Sequence, residues 1–537
     1  MSFLKNRNQI ILLAANILLV FFLILLSNLH ILPVDLGDFI FFAFLTLALA
    51  LYRPGWVFLF FVGTIMLENV NLAPAELGIA VRPYQFFGGL AILALGIRFL
   101  TRKLNFKLIK LNVYDWLVIL LGAASLVSAI FSNNVGVSLK QSIVLMSFIF
   151  LYFLTRNYLQ TTEDIKKVVP FFLSSSIVVA LYSVWQNVRF ARGLSSFEVM
   201  PGRPNGTFAE ADWLGMFVTC VIAVIYGLIY WTRNKKQETN TKQISNYKFQ
   251  ITNKFSISEF LILKLALYLM LTASYLVLIL SVSRSAWLGA LMVTFIFLMT
   301  VFTNLKFSPK KWQWKKTAQI KIPIIFSILL SVAVVYAFNL TRFELGNRLQ
   351  STGSGQQEIT VSCDAGSDVP RSIVDISELD GFNCRHINLE DVGNEKISGR
   401  VITRAYRNDP NVDIRGEIYK KSWTEIKNNL ILGIGWGNIS EVLGKDERGA
   451  GLNSSNIFLE TWLGAGIFGF FAFILIWLGV VVRSLKLFLN DSFEMKAAGM
   501  FLILGSVAII VPNLFNAGLM LGFLWLFLGL TFIKEEK

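Results

Sequence analysis

Three short stretches gather the side chains that could do chemistry. Gly202-Arg203-Pro204-Asn205-Gly206-Thr207-Phe208-Ala209-Glu210-Ala211-Asp212 sets one arginine and two carboxylates directly before an apolar run. Ser281-Val282-Ser283-Arg284-Ser285-Ala286-Trp287 places an arginine between serines at the turn joining two apolar runs. The third stretch begins at Arg415, continues through Gly433-Ile434-Gly435-Trp436-Gly437, and ends at Asn453-Ser454-Ser455-Asn456-Ile457-Phe458-Leu459-Glu460. Arginine presents a planar fork of donors that matches phosphate oxygens. A charge at membrane depth is costly unless it has a partner, so Arg284 is a functional candidate by default. Arginines of this kind would also stabilise charge developing on a pyrophosphate leaving group. A nearby carboxylate could serve as general base for a sugar hydroxyl.

Each residue also has a plainer reading. Glu210 and Asp212 suit the start of a helix, where the dipole favours carboxylates. Arg203 fits an interfacial arginine, and Arg415 a charge near a helix start. Trp423 and Trp436 could stack on sugar rings or pack their domain onto membrane helices. Glu460 lies one turn inside the following span, where it could be base or packing. The Gly433–Gly437 run does not match dinucleotide spacing and reads as a tight turn. His386 reads as structural or surface.

The elements that must carry these residues are membrane helices. Of 537 residues 55% are hydrophobic and 15% charged, against roughly a quarter charged in a soluble protein. About fourteen apolar segments approach the length of the bilayer core, and their backbones must be satisfied as helices. The segment near 54–68 is short and could be re-entrant. The fold expected is all-α and polytopic, about twelve to fourteen transmembrane helices with one large extracytoplasmic α+β loop domain.

The formal charge is +15, which could point to nucleic acid. Its distribution points elsewhere. Lys and Arg cluster in alternate loops, around Arg102–Lys110, Arg156–Lys167, Arg233–Lys254, Lys306–Lys321 and Arg483–Lys486. That alternation is the positive-inside pattern. It puts both termini in the cytoplasm and, by parity, residues 339–455 outside. The partition expected is 1–338 as an N-terminal bundle, 339–455 as the extracytoplasmic domain and 456–537 as C-terminal helices. Within the domain, 351–410 reads as a β-rich insert from alternating runs at Glu358–Cys363 and Arg400–Tyr406. Residues 412–430 read as an amphipathic helix, with Ile414, Ile418, Trp423, Ile426 and Leu430 approximating an apolar stripe. The segment 304–321, with Trp312 and Trp314 among lysines, reads as an interfacial anchor, and 232–256 as a flexible loop.

Cys220 sits in an apolar helix. Cys363 and Cys384 both fall in the outer domain, where a disulfide worth about 3 kcal/mol is permitted; two free buried thiols is the alternative. The first apolar segment lacks a cleavage site and reads as an uncleaved span.

Taken together, Arg203-x-x-Gly206-Thr207-Phe208, Ser283-Arg284-Ser285-Ala286-Trp287-Leu288-Gly289, Arg415-x-x-x-Tyr419-x-x-x-Trp423 and Gly433-Ile434-Gly435-Trp436-Gly437 resemble the O-antigen ligase and polymerase superfamily over roughly residues 200–480. The resemblance implies a glycosyltransferase of the C type at the outer face of the cytoplasmic membrane. Its donor would be a polyprenyl-diphosphate-linked oligosaccharide and its acceptor a glycan, lipid or protein. It implies no metal, no cofactor and no nucleic acid. Carried over by residue, Arg284 and Arg415 would contact the diphosphate, with Arg203 assisting. Glu210 or Asp212 would supply the base, and Trp436 and Asn456 would lie on the substrate side. Ligases of this superfamily carry a His where the outer loop returns to the membrane. This chain has Ser455-Asn456 there, and its histidines are His30 and His386. The arginine-based polymerases fit better, and a protein glycosyltransferase stays open. A flippase for lipid-linked glycan is the reading from another class, against which stand the lack of an internal repeat and the placing of charges at one face. A sensor or scaffold is the third, and no cytoplasmic stretch is long enough to signal.

Overall fold

The computed structural model describes residues 7–104, 106–198, 202–245, 257–303, 314–341, 356–367, 371–374, 376–387, 392–408, 411–445 and 451–533. The anchor expected around Trp312 lies largely outside them, as does most of the second half of the 232–256 loop.

The chain is a multi-pass helical membrane protein. Its N-terminal part holds α1 (Arg7–Asn28), α2 (Leu36–Tyr52), α3 (Pro54–Thr64), α4 (Pro83–Leu100), α5 (Val113–Ile130), α6 (Val135–Tyr158), α7 (Thr162–Ala191), α8 (Ala211–Ser245), α9 (Ile257–Leu280), α10 (Arg284–Thr303) and α11 (Trp314–Ala337). Within the polar segment lie α12 (Val392–Ile397), α13 (Asn411–Asn428) and α14 (Ile439–Leu443), and after it come α15 (Ile457–Phe488), α16 (Phe493–Asn513) and α17 (Gly522–Thr531). Among the described residues, eleven helices are long and apolar enough to cross a bilayer, and α2, α3 and α17 are shorter apolar helices. The segment expected to be short is α3, parted from α2 only by Arg53 and begun by Pro54, whose missing N–H costs nothing in a first turn.

Polar residues set the helix starts. Asn112 accepts from the Asp115 N–H while Asp115 accepts from that of Asn112, a reciprocal cap on α5. Thr161 and Asp164 do the same for α7. Asp115 is then held deeper in the bundle. It accepts from Arg156 through Nε and Nη2, both at 3.1 Å, and from the Tyr152 hydroxyl at 2.6 Å. Arg156 also donates to the carbonyl of Phe532, which ties α6 to the chain beyond α17.

One helix forms the central column. The apolar stretch of α8 is 83% buried, whereas the other ten range from 28% to 56%. It packs against α9, α10 and α16. Its first turn carries Asp212.

The helix Ile457–Phe488 is broken. Gly466 has φ 63° and ψ −169°, outside helical space. The gap is filled by residues 431–435. Ile467 N–H donates to the Ile431 carbonyl at 3.1 Å, and Ile434 and Gly435 N–H donate to that of Leu463 at 2.8 and 3.2 Å. A Cβ on Gly466 would collide with the Ile431 carbonyl oxygen. The glycine-rich run therefore does more than turn the chain, because it satisfies the backbone that the break sets free.

Residues 356–408 form a four-stranded sheet in the order β2 (Ser372–Ile373), β4 (Val401–Asn408), β1 (Gln356–Cys363), β3 (Cys384–His386). β1 lies antiparallel to β4 and β3, in a register that sets Ile359 opposite Ala405 and Cys363 opposite Cys384. Those two cysteines are joined by a disulfide. The sheet buries its own cluster of Ile359, Val361, Ile373, Leu379 and Ala405 around it.

Candidate functional site

Residues 202–208 form a buried segment pinned by the elements around it. Its Gly206 N–H donates to Gln186 Oε1 at 2.8 Å, and Asn187 Nδ2 to the Gly202 carbonyl at 3.2 Å, both from the end of α7. On its other side, Thr207 Oγ1 donates to the Met66 carbonyl at 2.5 Å, and Asn69 N–H to that of Thr207 at 2.8 Å. This scaffold holds Arg203, which is only 7% exposed. Its Nε donates to the Ser281 carbonyl at 3.1 Å and its Nη2 pairs with Asp212 Oδ2 at 3.3 Å.

The second stretch meets the same carboxylate. Ser283 gives it a side-chain hydrogen bond. The approach depends on Gly215, where a Cβ would stand 2.7 Å from the Ala286 Cβ and 3.1 Å from Ser281 Oγ. Any side chain there would push α8 off the turn. Arg284 is the next residue after Ser283, one Cα step of about 3.8 Å, and it opens α10 half-buried.

The third stretch reaches the carboxylate from the amphipathic helix. The Arg415 guanidinium is close enough to act on Asp212 electrostatically. Tyr419, one turn on, donates to the Ser455 carbonyl at 3.3 Å. Trp423, another turn on, meets the Trp462 ring edge-to-face at 6.1 Å. The four-residue spacing of Arg415, Tyr419 and Trp423 thus lays all three along one side of α13.

Asp212, with 32% of its side chain exposed, is the common partner. Arg203 pairs with it directly, Arg415 lies within electrostatic range of it, and Arg284 is the residue after Ser283. The other carboxylates are placed differently. Glu210 is exposed, just before α8, and its carbonyl accepts from Leu214 N–H at 3.2 Å. Glu460 accepts from the Ser454 N–H at 2.7 Å, so it holds the junction leading into α15.

Two expected substrate-side residues are engaged with the protein itself. Trp436 is 7% exposed, donates to Ser125 Oγ at 2.8 Å and lies against Gly464. This is the packing arrangement of the two weighed for it. Asn456 caps α15 by accepting from Phe458 and Leu459 N–H, and its Nδ2 donates to the Leu514 carbonyl at 3.1 Å. Beside it, Ser455 has φ 50°, held by Asn453 Oδ1 accepting its N–H at 2.9 Å.

Sequence reasoning missed a second charged pair. Glu68 and Arg82 meet at 2.9 Å, and Glu68 also accepts from Tyr84 Oη at 2.9 Å and from the Gly522 N–H at 2.8 Å. Burial pushes its carboxyl up, against the pull of Arg82 and the Gly522 N–H. Arg82 before Pro83, at the mouth of an apolar run, was the available signal. Asn516 was also missed; its Nδ2 donates to Ser285 Oγ at 2.9 Å. Nothing in its local sequence marks it. Among the described residues no cluster of three or more His, Cys, Asp or Glu is gathered as a metal site would need. The chemistry available is anion binding by arginines, with carboxylates at hand.

Residues 265–474 match the family model described as O-antigen ligase. No curated protein and no solved structure matches the chain.

Proposed function

Because residues 265–474 match the O-antigen ligase family model, we propose that the chain polymerises or transfers polyprenyl-diphosphate-linked glycan at the extracytoplasmic face of the cytoplasmic membrane. The observation that carries this is the convergence of Arg203 and Arg415 on Asp212, with Arg284 beside it. One guanidinium paired with Asp212, a second within electrostatic range and a third one residue from Ser283 bring more arginines than that carboxylate can neutralise, which suits a lipid diphosphate.

In the reaction proposed, an acceptor hydroxyl oxygen bonds to the anomeric carbon as the bond from that carbon to the diphosphate oxygen breaks. The electron pair leaves with the diphosphate, and the arginines stabilise its charge. The hydroxyl proton goes to a carboxylate. Asp212 already accepts from Arg203 and Ser283. The exposed Glu210 is the better base, and Asp212 aligns the arginines. No histidine is asked for, which suits Ser455 at the junction, and no metal is asked for.

The test is a deletion strain complemented with Arg284→Ala, Arg415→Ala and the double variant. Loss of long glycan chains with single units still attached means a polymerase, and loss of all attachment means a ligase. Full activity in all three variants, with the protein inserted, overturns the reading. The break in α15 favours a second one, because transporters use discontinuous helices at their binding sites. Purified protein that moved labelled lipid-linked glycan across vesicles without forming a glycosidic bond would establish it.

A further inference from the structure

The arginines supply the charge of the site, and behind them runs a row of neutral polar groups. Asn516 lies between α16 and α17. Its Nδ2 donates to Ser285 Oγ at 2.9 Å and to the Pro512 carbonyl at 3.0 Å. A carbonyl can only accept, so the second contact fixes the nitrogen of the amide on this side. Ser285 Oγ lies 3.3 Å from Ser283 Oγ. Ser283 Cβ stands 3.1 Å from where a Cβ on Gly215 would lie, one turn of α8 from Asp212, so that carboxylate is the acceptor in reach of its hydroxyl, and Asp212 in turn pairs with Arg203 at 3.3 Å.

The two ends give the row a direction. An amide nitrogen only donates and an ionised carboxylate only accepts. Each serine between them must accept from behind and donate forward. The protons therefore point one way, from Asn516 through Ser285 and Ser283 to Asp212. Donors reach the carboxylate from the serine row on one side and from Arg203 on the other. A hydrogen-bonded row of this kind polarises along its length and fixes its last member more firmly than a lone contact would.

We propose that Asn516 is a positioning residue, acting through Ser285 and Ser283 to hold Asp212, and thereby Arg203, in the orientation that receives the diphosphate. The proposal rests on the arginine-site reading above. It brings into the site a connection that lies outside the 265–474 match.

The test is a mutant cycle on the full chain in liposomes, with lipid-linked glycan extracted from the source organism as donor and acceptor. Asn516→Ala should lower kcat roughly tenfold, the value of one well-placed buried hydrogen bond. KM for the donor should change little, because the loss is of alignment. Ser285→Ala should match it, and Ser285→Thr, which keeps the hydroxyl, should restore the rate. In an Asp212→Asn background, Asn516→Ala should add no further loss. Additive losses would mean that Asn516 merely braces its loop, and would overturn the proposal. So would Ser285→Thr behaving like Ser285→Ala. Should Asn516→Ala fail to insert, the Ser285 pair carries the same decision. If Asp212→Asn alone runs at the full rate, the arginine-site reading itself falls. If it is impaired while Asn516→Ala and Ser285→Ala are not, only the row falls.

Discussion

The Ile431 carbonyl accepts from the Ile467 N–H at 3.1 Å, inside a helix that Gly466 has already opened. With the Ile434 and Gly435 N–H donors to Leu463, this bond helps join the polar segment to the membrane bundle. It also explains the local composition, since a side chain at 466 would occupy the space of the carbonyl. The turn 431–435 and the break at 466 form a single unit.

Gly466→Ala therefore has two costs. Its φ of 63° with ψ −169° is a region almost confined to glycine, and a side chain there costs about 1–3 kcal/mol. Its Cβ would also expel the Ile431 carbonyl and break its hydrogen bond with the Ile467 N–H, for about 1 kcal/mol more. Thermal unfolding of the purified protein should show a clear loss. An unchanged midpoint would mean that the unit re-forms with the turn displaced.

Arg203 and Asp212 separate charge from geometry. Arg203→Lys keeps the cation but loses the fork that reaches both the Ser281 carbonyl and Asp212. Both Lys and Ala at this position should lower glycan transfer by about 100-fold or more if aligned donors stabilise the leaving group. A lysine variant within a few-fold of the parent would show that bare charge is enough.

The Asp115–Arg156 pair is buried, at 0% and 5% side-chain exposure. Arg156→Ala would strand a buried carboxylate and the Phe532 carbonyl together. Breaking such a pair costs about 3–5 kcal/mol. The unfolding midpoint should fall accordingly, and less so in Arg156→Ala combined with Asp115→Asn.

Glu395 sets a pH dependence for the sheet. A hydrogen bond from Ser362 and then the Arg385 guanidinium hold its carboxyl below the ordinary value of 4.5. Its contribution is present above that value and is lost as pH falls through the lower, folded one. Hydrogen-exchange protection across 356–408 in the full chain, referred to the intrinsic exchange rate at each pH, should fall on acidification, and Glu395→Gln should flatten that response. Equal acid sensitivity in the variant would place the cause elsewhere.

Much of this was legible in the chain. Helix starts at Asn112 and Thr161 are local hydrogen bonds between residues three apart, so local sequence encodes them. The paired strands announced themselves by alternation, as at Val361 and Cys363. The break in α15 was not legible, because Gly464 and Gly466 pass for ordinary small residues of a membrane helix. Trp436 was equally silent, since an indole beside glycines suits a sugar as well as it suits Ser125.

By itself the sequence determined a helical membrane protein, a polar segment late in the chain, two arginines at the ends of apolar runs and a third in the amphipathic helix of the polar segment. These follow from composition and period, which report the surroundings of each helix taken alone. Only the tertiary structure decided that Arg203, Ser283 and Arg415 share Asp212, that Gly215 lets them meet, and that Asn516 stands behind them. Those contacts depend on which helices pack together, and side-chain shape across an interface sets that choice while leaving no period in either strand of sequence.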